Sequence, residues 1–133
     1  MTVTFSPPVP VLRIFDEAKA REFYVGFLGM SWDWEHRFAP DLPLYAQVSR
    51  GALVLHLSEH HGDACPGAAL RIHVSGEGGL EALHAALAAA RYRHARPGIE
   101  SKPWGEHAFS VTDPFGNRLT FHAPSPPAAE DGA

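Results

Sequence analysis

The sequence predicts an α+β chain built as two tandem βαβββ modules. Three observations predict it. The order strand, helix, three strands is legible twice between Val9 and His122. The tripeptide Leu-Arg-Ile stands at Leu12–Ile14 and again at Leu70–Ile72, and "VLHLS" and "RLTFH" occupy the last strand of each half. The strand candidates also alternate apolar with polar residues, the mark of sheets covered on one face only. A chain of 133 residues with 45% hydrophobic and 20% charged residues is long enough for one such domain, or for two half-size units sharing a core. We read residues 1–122 as a single domain, with module 1 at 8–60, module 2 at 67–122, and 123–133 as a disordered tail without apolar periodicity.

The first strand is "VPVLRIF", Val9 to Phe15, with Pro10 suited to a strand start or an edge. Asp16 caps a helix from Glu17 to Leu28, in which Ala20, Phe23, Tyr24 and Phe27 fall on one side and Gly29 supplies the stop. Strands follow from Ser31, from Leu42 and from Gly51, the last two joined as a hairpin at Arg50-Gly51. The second module opens with "AALRIHV", Ala68 to Val74, then a helix from Gly79 to Ala90 with Leu80, Leu83 and Leu87 on its apolar side. Tyr92 to Trp104 holds one strand. "HAFSVTD" and "NRLTFHA" close the module as a hairpin around "DPFGN".

Alternation sorts the strands by face. Leu53, Leu55 and Leu57 point to the core, as do Leu70, Ile72, Val74, Phe109, Val111, Leu119 and Phe121. The opposite face carries Arg13, Tyr45, Gln47, Ser49, His56, Ser58, Arg71, His73, Ser110, Thr112, Arg118, Thr120 and His122. A flat sheet would turn these residues to solvent. A sheet that curls around them makes a lined cavity able to hydrogen-bond a ligand.

Fifteen acidic against eleven basic residues give a formal charge of -4, which argues against a nucleic-acid partner and allows a neutral or cationic one. The single cysteine, Cys65, excludes an intrachain disulfide and a thiolate-cluster metal site, so a reducing, cytoplasmic location is expected. No stretch approaches membrane-spanning length, and the N-terminus lacks a basic start followed by an apolar run. Neither Cys65 nor any serine carries the surroundings of an activated nucleophile.

"VLHLSEHHGD", Val54 to Asp63, invites a metal reading. His56 is the most ligand-like of its histidines because it lies within a strand. A stable site, however, needs three or more groups converging at about 2 Å. His60 and His61 are adjacent in sequence, and the helical zincin spacing is missing. The expectation is no metal and no cofactor. Trp32 and Trp34, two apart, should share one strand face with Asp33 and Glu35 on the other, and Trp104 precedes Gly105-Glu106. Such tryptophans pack a core or an interface, or stack on a flat or cationic ligand.

"IFDEAKAREFYVGFLGM", "LPLYAQVSRGALVLHLSEH" and above all "PWGEHAFSVTDPFGNRLTF" resemble the glyoxalase, bleomycin-resistance and extradiol-dioxygenase superfamily (vicinal oxygen chelate), with the nearest likeness to its bleomycin-resistance proteins. The resemblance spans Val9 to His122. It implies a curved, incomplete-barrel sheet formed by the two βαβββ modules, and a homodimer whose subunits join to complete two ligand clefts. In drug-binding relatives the cleft sequesters a cationic glycopeptide of the bleomycin class without altering it. Metal-dependent relatives place ligands at four strand positions, which fall here near Val9, His56, Ala69 and Thr120. Only His56 is a plausible ligand among these, which lowers the expectation of a metal-dependent lyase, dioxygenase or transferase. The expected function is therefore non-enzymatic binding of a bleomycin-like or other small molecule, with no catalytic residues. The expected ligand-binding residues are Trp32, Trp34, His56, Ser58, Trp104 and Ser110, with Asp33, Glu35, Asp63 and Glu106 shaping the charge. A divergent metal-dependent enzyme and a protein-binding dimer are the alternatives.

Overall fold

In the computed structural model of the protein, residues 2–90 and 98–125 are described. The elements run β1 (Val11–Arg13), α1 (Glu17–Ala20) continuing as a π-helical segment (Arg21–Phe27), β2 (Ser31–His36), β3 (Tyr45–Arg50), β4 (Leu53–Ser58), β5 (Ala69–His73), α2 (Gly79–Ala89), β6 (Glu100–Lys102), β7 (Glu106–Thr112) and β8 (Arg118–Pro124). This is the βαβββ order twice. The chain divides into two compact units: one holds the residues through Ala68 together with Pro114–Asn117, the other Ala69–Asp113 and the residues from Arg118 on.

The first unit contains an open four-stranded sheet, ordered β1-β4-β3-β2. β1 runs parallel to β4, while β4, β3 and β2 are antiparallel neighbours. Asp16 caps α1 as its sequence position suggests, its carboxylate accepting from the Lys19 amide at 2.8 Å. The expected α-helix then widens: the Leu28 amide bonds the Phe23 carbonyl, five residues back, at 2.9 Å. Gly29, with φ 71°, ends it. The helix still buries Ala20, Phe23, Tyr24 and Phe27, the four residues that the periodicity placed on one side. They share a core with Leu12, Ile14, Leu44, Val48, Leu55 and Leu57, and burial of each large side chain contributes about 1.5–3 kcal/mol.

Asn117 is fully buried in this unit, where its side chain donates to the Arg13 carbonyl at 2.9 Å and accepts from the Ala68 amide at 3.3 Å. It satisfies two backbone groups that no ladder reaches.

The second unit repeats the arrangement as β5-β8-β7-β6, again with the first and last strands parallel. Leu80 and Leu87 of α2 are buried, as are Phe109, Val111, Leu119 and Phe121 of the sheet. Gly78 begins α2 with φ 78°, and a Cβ there would lie 2.6 Å from that of Ala82, so only glycine fits. β8 continues through Pro124, past the point where apolar alternation stops, because ladder pairing of Ala123 with His107 and Pro124 with Glu106 uses the backbone alone. Residues 126–133, most of the expected tail, lie outside the described residues, as do residues 92–97 of the expected looser segment.

Candidate functional site

The polar face of the first unit's sheet is built by strand parity. Tyr45, Gln47 and Ser49 of β3 are half-buried and alternate with fully buried Ala46 and Val48. His56 of β4 stands directly across the ladder from Gln47. These facings follow from the alternation in the sequence.

β2 departs from it. The ladder pairs Trp32 with Val48 but Trp34 with Gln47, so an extra residue, Asp33, is accommodated as a bulge. The slip corrects the expectation that Trp32 and Trp34 share a face: one inserted residue inverts the parity beyond it. Trp32 lies on the helix side, its ring beneath the Arg21 guanidinium at 4.0 Å and its Nε1 donating to Glu35 at 3.1 Å. Trp34 reaches the polar face, 44% exposed.

Three rings gather there. Trp34 and Tyr45 are nearly parallel, at 15°, with centroids 6.1 Å apart. The His56 imidazole stands edge-on to both, at 5.3 Å from Trp34 and 5.2 Å from Tyr45. The aromatic strip continues to His60, 6.4 Å from Tyr45, and to exposed Phe38, which lies edge-on to His60 and His36.

A hydrogen-bond chain links two of these rings to Gln47 and Asp33. Tyr45 Oη lies 2.7 Å from His56 Nδ1, His56 Nε2 lies 3.1 Å from Gln47 Oε1, and Gln47 Nε2 donates to Asp33 Oδ2 at 3.1 Å. Bonds from Ser49 and Gln47 hold the Asp33 carboxyl below its ordinary value, so it is a carboxylate at neutral pH. Burial, then the nearby Asp63 charge, pushes the Tyr45 phenol up and keeps it protonated.

This engagement bears on the metal question. Both His56 ring nitrogens are committed to side chains, whereas a metal ligand must present a bare one. Its parallel-strand neighbour is Val11, and the neighbour of Thr120 in the other unit is Arg71, neither able to complete a site. Among the described residues, no group of three or more His, Cys, Asp or Glu side chains is placed to hold a metal ion.

Ser58 points to the same side as His56 but is fully buried. Its hydroxyl donates to Asp63 at 2.7 Å and accepts from the His60 amide at 3.0 Å, so it organises the loop that follows β4. Arg13 secures that loop from β1 by donating to the His60 carbonyl.

The remaining expected site residues belong to the second unit. Ser110 shares a 2.7 Å hydrogen bond with Thr120 on its exposed face. Trp104, 66% exposed, precedes β7 and hydrogen-bonds Glu106. Glu106 is held below the ordinary carboxylate range chiefly by Arg71, which reaches both of its oxygens at 2.6 Å. Tyr45 and Gln47, which join Trp34 and His56 into one group, were readable as polar-face residues but carried no mark that singled them out.

The family model described as glyoxalase superfamily protein matches residues 1–125. No curated protein matches the chain. Several solved structures are similar. A bleomycin-binding protein complexed with bleomycin is 17% identical, with a TM-score of 0.69 over 91% of this chain and 100% of that one. TnmS3, an antibiotic-binding protein from Streptomyces sp. CB03234, is 21% identical, with a TM-score of 0.66 over 93% and 100%. A glyoxalase-related enzyme from Clostridium phytofermentans is also 21% identical, with a TM-score of 0.69 over 92% and 97%. At these identities the likeness is one of fold.

Proposed function

This chain belongs to the glyoxalase superfamily, and from that premise we propose that it binds and sequesters an antibiotic of the bleomycin type without chemical turnover. The observation that carries this reading is the Trp34, Tyr45 and His56 group, an aromatic surface whose imidazole is tied into a hydrogen-bond chain instead of offering a nitrogen to a metal. Such a surface stacks on planar rings and meets polar substituents with fixed partners. The fold it shares with a bleomycin-binding protein and with an antibiotic-binding protein supports the same class of ligand. Trp34 and His56 are the contact residues of the first unit in this reading, and Trp104 and Ser110 are proposed as contacts on the second unit taken by itself. Trp32 and Ser58 act from behind, through Glu35 and Asp63.

The protein acts as a cytoplasmic homodimer in this reading, since sequestration works where the drug would meet its target. No described helix is long and apolar enough to cross a membrane. Calorimetric titration with copper-free and copper-loaded bleomycin tests the function. Saturable binding with Kd at or below ~1 μM is expected, and no saturable binding to either form at high micromolar concentration overturns this ligand class. Stoichiometric transition metal in protein purified without chelators would instead favour a metal-dependent enzyme. A strictly monomeric species at tens of micromolar would remove the homodimer.

A further inference from the structure

The hydrogen-bond chain across the first unit has a direction, and the direction decides what the face offers a ligand. The Asp33 carboxylate only accepts, so the Gln47 amide turns its Nε2 toward it and its Oε1 toward His56. That oxygen also only accepts, so His56 Nε2 carries a hydrogen. In the neutral imidazole Nδ1 is then bare, and the proton in the 2.7 Å contact belongs to the Tyr45 phenol. A phenol has one proton, and here it is directed inward. Tyr45 Oη therefore retains only lone pairs for a visitor.

The other groups on the face agree in sign. Asp33, the bulge residue next to Trp34 in the chain, turns its carboxylate to the same Gln47 that stands across the ladder from Trp34, so the hydrogen-bond chain ends in a negative charge on this face. The negative faces of the Trp34 and Tyr45 rings favour positive charge. We propose that this face selects a hydrogen-bond-donating cationic group, an ammonium or amidinium nitrogen, seated on the Trp34 ring with Tyr45 Oη and the Asp33 carboxylate as its acceptors. Gln47 is the positioning residue that fixes this polarity. The proposal rests on the reading of the face as a ligand site and adds the chemistry of the group it takes.

Of the other charged groups described on this side, Arg13 is directed away from the rings toward the His60 carbonyl and the Phe15 ring, and Asp63 toward Ser58.

The test uses the full chain labelled with ¹⁵N in its imidazoles and indoles. Long-range ¹H–¹⁵N spectra at pH 7.5 read the His56 tautomer, and titrations with benzylammonium, benzyl alcohol and benzoate follow the Trp34 indole resonance. The expected result is the Nε2–H tautomer and benzylammonium binding about tenfold tighter than either other probe. The preference should fall toward parity in Asp33→Asn and in Gln47→Leu. An Nδ1–H tautomer in the wild type, equal or tighter binding of the alcohol or benzoate, or no binding of any probe at about 20 mM overturns the proposal. The tautomer is measured on unaltered protein, so a variant that fails to fold leaves that arm intact. Absence of bleomycin binding with ammonium preference retained overturns the drug reading alone. Bleomycin binding without the preference overturns this inference alone.

Discussion

The phenol oxygen of Tyr45 lies 2.7 Å from Nδ1 of His56, and in the tautomer we propose the bond runs from the phenol to the ring. Two adjacent strands supply the partners in a diagonal relation: Gln47 pairs with His56, and Tyr45, two residues back on the same face, pairs with Ser58. Replacing Tyr45 with phenylalanine keeps the ring and removes the donor, leaving Nδ1 unpartnered at a half-buried position. The expected loss is about 1 kcal/mol in urea unfolding, with the ring packing retained in near-ultraviolet dichroism. A loss within error would mean that water replaces the phenol without cost.

Trp34 is 44% exposed, so its truncation should separate binding from folding. Trp34→Ala is expected to weaken ligand binding at least about tenfold, equal to ~1.4 kcal/mol, while changing unfolding free energy by less than about 1 kcal/mol. Calorimetry with the ligand and urea melts without it give the two numbers. Trp32→Ala should show the opposite pattern, because that ring packs under Arg21 on the helix side.

Ser58→Ala removes a fully buried hydroxyl that bonds both Asp63 and the His60 amide. The Asp63 carboxylate and the His60 N–H each lose a partner, at an expected cost of about 1–3 kcal/mol. Amide hydrogen exchange at His60 should quicken more than exchange in β3, and uniform change across both would contradict a local role in the loop.

Asn117→Ala strips two backbone groups, the Arg13 carbonyl and the Ala68 amide, of their buried partner. Destabilisation of about 2–4 kcal/mol is expected from the two unmet bonds and the vacated volume, read from denaturant midpoints at unchanged m-value. Asn117→Asp keeps the acceptor for Ala68 but turns a carboxylate oxygen toward the Arg13 carbonyl in a fully buried site, and should cost at least as much as Asn117→Ala.

Glu17 supplies the acid limb of stability. Arg21 first, then Arg37, holds its carboxyl below the ordinary value of 4.5, at 2.8 and 2.9 Å. A carboxyl depressed in the folded state contributes stability above its unfolded pKa, and that contribution is lost as pH falls through the folded value. Glu17→Gln is expected to cost about 0.5–1 kcal/mol at pH 7, with the gap to wild type closing below pH 4.5. Melts from pH 7 to pH 3 test the sign. A gap that widens on acidification would reverse it.

Much of the fold was legible because burial imposes a period. Ala20, Phe23, Tyr24 and Phe27 at helical spacing, and Leu55 and Leu57 at strand spacing, are buried as their pattern requires. Asp16 and Gly29 mark the helix ends through local backbone chemistry that needs no tertiary context. The widening of that helix into a π-helical segment was not legible, since the same apolar residues face the core in either form.

The site was legible by face and not by grouping. Alternation put Tyr45, Gln47 and His56 on one side, but three polar residues on a strand face look the same whether they meet water or one another. The bulge at Asp33 was hidden, because an inserted residue shows itself only against the partner strand's register.

The sequence by itself determined the order of the elements, much of their buried faces, and the side of the sheet on which His56 stands. Each of these follows from residue type and spacing along one chain. Only the tertiary structure decided that Trp34, and not Trp32, joins Tyr45 and His56, and that the Tyr45 phenol meets His56 Nδ1. Those facts depend on which residue of β2 stands across from Gln47 and on where a hydrogen bond between two strands ends. Both are relations between strands, and a one-dimensional pattern does not contain them.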